Sequence, residues 1–311
     1  MTFINKTANS QHKDVEIIDT MRVFCNGFNL YGHLNLSEPL IEWFTPVFVD
    51  KPITDIFINH SFTVLQTKDN VKVFFENKEK NISNCGSIIK VCSNDEKIII
   101  LNDQGKLFKI ELIDFNVVHE LPDFLCSEVS KAKIVNISCG SKLYVAYSNQ
   151  GNIFNIPNKL TFENVDIIDI KCGREHCLML DKVGNVYTFG RGSRGQLGHG
   201  SLDDEPEPVK VDALGGIKVV QIAAGGWHSC ALSQEGDLYI WGWNVNGQLG
   251  LKGPGKEDED CVSVMALPHV VDFPDSQRNC VKVACGSRHT ITLLVRHSVK
   301  SREFSIDTKS T

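Results

Sequence analysis

Apolar and polar residues alternate in short runs along most of the chain, and turn-forming residues separate the runs. In one of the clearest runs, Ile168, Ile170 and Cys172 alternate with polar residues, and Gly173 follows directly. Alternation over four to eight residues is typical of a β-strand with one buried face. The pattern predicts an all-β protein made of many short strands.

One stretch of the chain occurs twice, because residues 167–198 match residues 219–250 at an offset of 52 residues. Each copy predicts three strands and a loop that ends in Gly-Gln-Leu-Gly, and about four short strands per unit is the size of a β-propeller blade. A glycine follows the first strand, a histidine comes three positions later, and a second glycine comes eleven positions after the first. The residues predicted to have structural roles in the repeat are Gly173, His176, Gly184, Phe189, Gly225, His228, Gly236, Trp241, Gly286 and His289.

Weaker copies lie upstream, with Asn59, Asn94 and Gly140 in the position of the first glycine. The intervals between successive copies are 35, 46, 33, 52 and 61 residues, and the short intervals leave little room for a fourth strand. We therefore expect reduced blades in the first half of the chain. Residues 23–35 match only the second half of a blade, which can join the first half at 281–294 in one sheet and close the ring.

The matching halves add up to six blades. This number fits either a six-bladed ring or a seven-bladed parent that has lost one blade, and the absence of a blade pattern at the end of the chain favours the second interpretation. The predicted organisation is a tail at 1–20, a propeller at 21–295 and a second tail at 296–311. Within the propeller, residues 36–165 form degenerate repeats and residues 167–293 form well-formed repeats.

Composition narrows the range of functions. With 311 residues, 42% hydrophobic and 23% charged, the chain can bury a full-sized core. The net charge of −6 argues against direct nucleic-acid binding through phosphate neutralisation. We expect no membrane span, because no stretch approaches about 18 apolar residues. Since no secretory leader is visible, the eleven cysteines are expected to be reduced and intracellular.

The histidines, cysteines and glycines that could suggest a catalytic, metal or nucleotide site can each be explained by a structural role in the blades. The repeated histidines occupy equivalent places in different blades, so we expect each to hold a neighbouring blade. Cys139, Cys172 and Cys285 also share one blade position, but no closely spaced pair suitable for zinc occurs. The glycine-rich segment at 190–195 lacks the lysine and the helix of a phosphate loop and predicts a turn. We therefore expect no catalytic residue, no cofactor and no metal, and the chain is predicted not to be an enzyme.

Loops differ most between blades and are the natural place for partner binding. Arg174, Trp227 and Arg288 follow the first glycine of their repeats and should emerge on one face, and arginine and tryptophan are typical anchors of protein interfaces. Two acidic loops stand out as well, one at 203–207 and one at 256–260. The predicted partner-binding residues are Arg174, Glu175, Trp227, Arg288, Asp203, Asp204, Glu205 and Glu207. The alternative is that these loops are solvated and bind nothing.

The segments GGWHSCAL (225–232), GDLYIWGWN (236–244) and GQLG (195–198 and 247–250) resemble the repeat of the regulator of chromosome condensation family. The resemblance implies a β-propeller, usually seven-bladed, and it is strongest over 167–293. It is closest to small single-propeller members of the family. The resemblance of this chain to those members implies a monomeric, non-catalytic adaptor that is located in the nucleus and cytoplasm and is associated with chromosomes.

The partner that this resemblance implies is a jumonji-type histone-modifying oxygenase, with a role in histone methylation and chromosome segregation. Nucleotide exchange on a small nuclear GTPase is an alternative, although the chain has few basic residues near its N-terminus and a negative net charge. A cytosolic adaptor of a ubiquitin or trafficking complex is a third possibility, and it rests on fold analogy alone.

Overall fold

The computed structural model describes residues 23–28, 40–47, 53–58, 62–75, 78–94, 96–111, 114–121, 133–162, 165–251, 262–273 and 278–296. The predicted tails, apart from Arg296, and the acidic loop at 256–260 lie outside the described residues. Within the described ranges, no helix is long and apolar enough to cross a membrane.

Five antiparallel sheets have four strands each, in sequential order. Blade 1 contains β3 (Asp55–Ile58), β4 (Phe62–Gln66), β5 (Val71–Phe75) and β6 (Lys78–Ile82). Blade 2 contains β7 (Ile88–Ser93), β8 (Lys97–Asn102), β9 (Leu107–Glu111) and β10 (Asp114–Glu120). Blade 3 contains β11 (Ile134–Cys139), β12 (Tyr144–Ser148), β13 (Ile153–Asn155) and β14 (Asn158–Lys159).

Blades 4 and 5 are the two copies that the sequence repeats most clearly. Blade 4 contains β15 (Ile167–Cys172), β16 (His176–Asp181), β17 (Val186–Gly190) and β18 (Glu205–Lys210), and a short 3-10 helix follows at Asp212–Leu214. Blade 5 contains β19 (Val219–Ala224), β20 (His228–Ser233), β21 (Leu238–Trp243) and β22 (Val264–Val270). Two further sheets have two strands each. The N-terminal half-sheet is β1 (Val23–Phe28) with β2 (Leu40–Val47), and the C-terminal half-sheet is β23 (Arg278–Cys285) with β24 (Thr290–Arg296).

The sheets pack in chain order as the blades of a propeller. The first strands of successive sheets, from β7 to β23, contact one another and therefore surround the axis. Five full blades and two half-sheets amount to six blades, so the predicted fold class and blade number are confirmed.

The predicted lack of a fourth strand in the early blades is wrong. Blades 1 to 3 have four strands each, because their third and fourth strands are joined by only two residues, at 76–77, 112–113 and 156–157. The corresponding connections span 14 residues in blade 4 (191–204) and 20 residues in blade 5 (244–263). The early blades are shorter because they lack this loop.

The two half-sheets do not form the predicted joined sheet, since β1 pairs with β2 and β24 pairs with β23 in separate sheets. The N-terminal half-sheet nevertheless has the register of an outer blade half. Its pairing shifts between Cys25 and Gly27. The pairing of β17 with β18 shifts in the same way before Gly190, and that of β21 with β22 shifts before Gly242.

Core packing occurs mainly between blades. In β16 every residue is buried, because alternate side chains face the preceding and the following blade. Met179 packs in a cluster with Val145 of blade 3, and Leu178 packs in a cluster with Ile222 of blade 5. This explains why the second strands are continuously apolar and do not alternate.

A β-bulge recurs in the first strands and corrects the predicted buried face. In β15 the register shifts between Ile167 and Asp169, which leaves Ile168 as the extra residue, 51% exposed. Ile89, Val220 and Val281 are bulged and about half exposed in the same way. The prediction that residues five positions before the glycine are buried is therefore wrong, whereas those three positions before, such as Ile170, are buried.

Cysteine side chains also lie between blades. The structure joins Cys92 of blade 2 to Cys139 of blade 3 by a disulfide, which corrects the expectation that all thiols are reduced. Cys230 and Cys285 lie at another inter-blade contact, with their Sγ atoms 3.4 Å apart. In the described part of the chain, no group of three or more His, Cys, Asp or Glu side chains could hold a metal ion.

Because of the bulge, we predict that alanine substitutions of two neighbouring isoleucines have different effects on the free energy of unfolding. Ile170→Ala should lower the free energy of unfolding by about 2–5 kcal/mol, because it removes three buried carbons from the core. Ile168→Ala should change it by no more than about 0.5 kcal/mol, because the side chain is bulged toward solvent. Denaturant unfolding measures both values, and equal losses would show that the first strand has no bulge.

Candidate interaction surface

Strand direction divides the blade connections into two sets. The first and third strands of a blade run in the same direction, so the turn after strand 1 and the loop after strand 3 emerge at the same end of the sheet. We call this end of blades 3 to 5 and of the C-terminal half-sheet the turn face. It is defined by Lys142, Arg174, Glu175, Arg191, Arg194, Trp227, Trp243 and Arg288.

The first glycine of each repeat has no room for a side chain, because neighbouring atoms approach its backbone closely. A Cβ atom on Gly173 would lie 2.1 Å from His176 Cε1 and 2.4 Å from the carbonyl oxygen of Gly225 in the next blade. Gly225 and His228 repeat both contacts, with the carbonyl oxygen of Gly286 as the neighbouring backbone group. Gly286 contacts only its own histidine, His289, which is exposed, so the expectation that each repeated histidine holds a neighbouring blade is wrong for His289. The imidazole thus packs against bare backbone, and a larger residue would push the turn away from its neighbour.

Each buried histidine holds the next blade through a hydroxyl. His176 Nε2 lies 3.0 Å from Ser229 Oγ, and that hydroxyl donates to the carbonyl oxygen of Gln196 at 2.8 Å. Because its proton is used in the second bond, Ser229 Oγ must accept the hydrogen of Nε2, which fixes the histidine tautomer. His228, Thr290 and Gln248 repeat the same three-part contact.

We call Gln196–Leu197 and Gln248–Leu249 the plugs of blades 4 and 5. Trp241 Nε1 also donates to the carbonyl oxygen of Gln196, at 2.9 Å, and Thr188 Oγ1 donates to that of Leu197, at 2.7 Å. Both Gln196 and Leu197 are almost fully buried. The Gly-Gln-Leu-Gly motif is therefore a backbone segment inserted between two blades.

Backbone hydrogen bonds link the turns of neighbouring blades. Ser141 N donates to the carbonyl oxygen of Arg174 at 2.7 Å, and Arg174 N donates to that of Gly226 at 3.1 Å. A Cβ atom on Gly226 would lie 2.5 Å from the carbonyl oxygen of Ser287 in the next turn. Arg174, Trp227 and Arg288 therefore lie on one continuous surface, in the positions that the sequence suggested.

An acidic side chain in this surface is already paired. Glu175 forms ion pairs with Lys142 of blade 3 at 2.9 Å and with Arg191 at 3.1 Å. Partial desolvation raises the pKa of the Glu175 carboxyl, but the hydrogen bonds from Lys142 and Arg191 outweigh it and hold the pKa below its usual value. Glu175 therefore organises two basic side chains and is not a free acidic anchor.

Two tryptophans of blade 5 enclose an arginine of blade 4. The guanidinium carbon of Arg194 lies 5.0 Å from the ring centre of Trp227 and 4.2 Å from that of Trp243. Cation–π contacts at such distances contribute about 0.5–2 kcal/mol, depending on desolvation. Arg194 therefore covers part of the indole of Trp227, which is itself partly buried.

The acidic loop of blade 4 has mixed roles. Asp204 Oδ1 accepts from Gly192 N at 2.8 Å, and Glu207 accepts from the backbone N and the hydroxyl of Thr161 at 2.9 and 3.1 Å. Glu205 begins β18 opposite Gly190. Asp203 is exposed beside Gly192, at the edge of the turn face. Asp204 and Glu207 therefore make internal contacts that the sequence did not reveal.

The glycine-rich segment at 190–195 uses its backbone donors internally. Gly192 N binds Asp204, and Arg194 N donates to Gln196 Oε1 at 2.8 Å. These contacts belong to a folded turn, and they leave the two N–H groups unable to receive a phosphate.

Sequence reasoning missed Lys142, Arg191, Arg194 and Trp243 as members of the surface. Arg194 and Trp243 lie in the repeated motifs, where they read as turn residues, and only the approach of one blade to the next shows that they meet. Five basic side chains, at 142, 174, 191, 194 and 288, therefore share a face in a chain whose net charge is −6.

Comparisons with known proteins agree with this architecture. Two family models match, both described as regulator of chromosome condensation (RCC1) repeat, one over residues 183–232 and 235–293 and the other over 167–196 and 219–248. The repeats, the plugs and the ring of sheets define a β-propeller repeat protein. More specifically, residues 167–293 of the chain match the RCC1 repeat, as the resemblance in the sequence suggested.

Individual relatives cover parts of the chain. Human RCC1 domain-containing protein 1 is 38% identical in an alignment of 151 residues that covers 39% of this chain and 40% of that protein. The human probable E3 ubiquitin-protein ligase HERC6 is 33% identical in an alignment of 180 residues that covers 50% of this chain and 17% of that protein. The aligned segment thus spans about two fifths of the first relative and less of the second.

A solved structure shares the fold over more of the chain. Prp20p from Saccharomyces cerevisiae, described with its binding properties to Gsp1p and histones, superposes with a TM-score of 0.64 at 17% identity. The match covers 79% of this chain and 69% of Prp20p. At this identity the likeness shows the fold alone.

The histidine contact predicts a pH dependence of stability. Burial lowers the pKa of His176 to about 3, whereas an unfolded histidine has a pKa of about 6.5. The unfolded chain therefore binds a proton more readily, so the contribution of His176 is complete above pH ~6.5 and falls by about 1.4 kcal/mol per unit toward pH 3.

We expect the difference in unfolding free energy between the wild type and His176→Gln to be about 2–3 kcal/mol smaller at pH 4.5 than at pH 7. Denaturant titrations at both values measure it. His269→Gln, at an exposed position on β22, is the matched control and should show a similar difference at both values. A difference for His176→Gln that does not change with pH would contradict a buried neutral imidazole.

Proposed function

We propose that this propeller is a non-catalytic protein-interaction scaffold and that its partner docks on the turn face. The carrying observation is that Arg174, Trp227 and Arg288 lie on linked turns. Lys142, Arg191 and Arg194 lie on the same face. Arginine and tryptophan are the residue types that dominate binding energy at protein interfaces. The turns are held by backbone hydrogen bonds, so the surface is organised before a partner arrives.

Charge indicates the kind of partner surface. Arg174 and Arg288 are exposed, and Glu175, which lies among the basic groups, is paired internally. Among the described residues, Arg174 and Arg288 have no ion-pair partner. A partner segment that carries carboxylates would therefore meet positive charge there, with Asp203 at the edge discouraging an acidic segment from extending in that direction. Such complementarity favours fast and selective association.

The finer proposal is a chromatin-associated adaptor that holds a jumonji-type histone-modifying oxygenase, with a role in histone methylation and chromosome segregation. Its support is the resemblance to small single-propeller RCC1 proteins, strengthened by the match to RCC1 domain-containing protein 1. A location in the nucleus and cytoplasm, a monomeric state and partial association with chromosomes belong to the same proposal.

The second candidate is nucleotide exchange on a small nuclear GTPase. The shared fold with Prp20p, described with binding to Gsp1p and histones, favours it. Exchange needs a protein segment inserted as a wedge at the phosphate site of the GTPase. None of the described loops is identified as such a segment. Release of fluorescent GDP at catalytic amounts of the propeller would separate exchange from scaffolding. An adaptor in a ubiquitin complex is supported by partial matches to ligases such as HERC6.

Charge reversal on the turn face tests the docking proposal. Arg174→Glu with Arg288→Glu should weaken binding of a purified jumonji-type oxygenase by at least about tenfold, because two attractive contacts become repulsive. Surface plasmon resonance with the folded full chain measures the affinity at 150 mM salt, where surface charges are screened beyond about 8 Å.

The matched control is Lys182→Glu with Lys218→Glu, since both lysines are exposed at the opposite end of the sheets. Their reversal should leave the affinity unchanged. If the oxygenase does not bind the wild-type chain, this partner is wrong. If it binds and only the control variant loses affinity, the turn face is wrong.

A further inference from the structure

The space that a plug fills between blades 4 and 5 has a counterpart elsewhere in the ring. We call this space a seat. Between blades 4 and 5 it is formed by the second and third strands of both blades, and Gln196–Leu197 occupies it. The hydroxyl of Ser229 and the indole of Trp241 bind the inserted carbonyl oxygen. A plug requires the long loop after the third strand, which blades 1 to 3 lack.

Blade 2 therefore has no long loop after its third strand to place against blade 3. Its third and fourth strands are joined by residues 112–113, and Glu111 pairs directly with Asp114. Strand pairing identifies which residues surround the corresponding seat. The equivalent positions are Lys97 with His176, Ile99 with Leu178, Lys109 with Thr188, Tyr144 with Ser229, and Ile156 with Trp241.

A cavity of about 280 Å³ lies at this place. Its lining is the five residues at the equivalent positions together with Leu121 and Pro157. At the next interface, between blades 3 and 4, the side chains of Leu143, Leu160 and Phe189 pack in one cluster and fill the space. Among the described residues, neither a loop after the third strand of blade 2 nor an aromatic ring of the next blade occupies the plug seat between blades 2 and 3.

The seat has a different chemistry from its counterpart. Its walls are largely apolar, through Ile99, Leu121 and Ile156. Lysines stand where the other seat has a histidine and a threonine. Lys97 Nζ lies 5.6 Å from the ring centre of Tyr144, and Lys109 Nζ pairs with Glu111 at 2.8 Å. Among the described residues at the rim, two ammonium groups and one carboxylate leave a net positive charge.

We propose that this seat binds a short segment of a partner protein, with a leucine-sized aliphatic side chain in the cavity and a neighbouring aspartate or glutamate at the two lysines. The inserted Leu197 of blade 4 shows that the equivalent space accepts a leucine between two blades. In the seat between blades 2 and 3, the ammonium groups of Lys97 and Lys109 would replace the hydroxyl and indole donors of that site. The positive rim selects carboxylates. The site lies at the same end of the sheets as the turn face, because residues 156–157 form the loop after the third strand of blade 3. It shares none of the eight residues that define the turn face and does not depend on docking there.

A fluorescein-labelled hexapeptide, Asp-Gly-Gln-Leu-Gly-Asp, is the probe, and its fluorescence anisotropy is measured with the full chain. We expect saturable binding. A peptide with leucine replaced by alanine should bind about tenfold more weakly, and so should a peptide with both aspartates replaced by asparagine.

Lys97→Glu should weaken binding of the probe by about tenfold or more, and Lys97→Gln should have a smaller effect in the same direction. The exposed Lys182→Glu is the matched charge control and should bind like the wild type. The midpoint of thermal unfolding identifies any variant that fails to fold, in which case Lys97→Gln carries the test.

Three results would overturn the proposal. The first is no saturable binding of the probe to the folded wild-type chain. The second is unchanged affinity in a folded Lys97 variant. The third is loss of binding on Arg174→Glu with normal binding to Lys97→Glu, because the probe would then occupy the turn face instead of the seat.

Discussion

The carbonyl oxygen of Gln196 is the point on which the well-formed half of the propeller depends. It lies between two blades and accepts hydrogen bonds from Ser229 and Trp241 of the next blade, while His176 holds Ser229 in position. Burying a carbonyl group without partners would cost about 1–3 kcal/mol, so a plug is stable only where the neighbouring strands supply donors. The repeated glycines follow from this contact, because they let the imidazole lie against the backbone.

The plugs also explain why the two halves of the ring differ. A plug needs a long loop after the third strand, and the same loop brings Arg191 and Arg194 to the turn face. Blades 1 to 3 replace it by two residues and hence carry neither a plug nor an extended loop. The candidate interaction surface is for this reason concentrated on blades 4 and 5, with contributions from Lys142 and Arg288 on either side.

The repeat in the sequence was sufficient to predict the propeller, the number of blades and the places of His176 and Trp241. It could not reveal the bulge at Ile168, because a bulge changes which face a residue occupies without changing the apolar pattern. The complete early blades were missed because a two-residue hairpin needs less chain than a loop with a plug. The pairing of Cys92 with Cys139 joins residues 47 positions apart, and only the packing of successive blades brings them together.

For the candidate surface, the sequence indicated Arg174, Trp227 and Arg288 because they follow equivalent glycines. It could not indicate that Glu175 is neutralised by Lys142 of another blade, or that Arg194 lies between two indoles. Those contacts depend on the distance between neighbouring turns, which hydrogen bonds from Ser141 and Arg174 set. The local sequence pattern thus predicts which residues lie on the turn face. The packing of the blades determines which of their side chains contact one another.

The central claim is that a partner docks on the turn face, and hydrogen exchange tests it most directly. Exchange of the full chain is compared with and without a saturating jumonji-type oxygenase. The account predicts slower exchange at 140–142, 173–175, 191–204, 225–227 and 286–288, with unchanged exchange at the opposite turns, 182–185 and 234–237. Protection confined to the opposite turns, in a complex shown to be saturated, would contradict it.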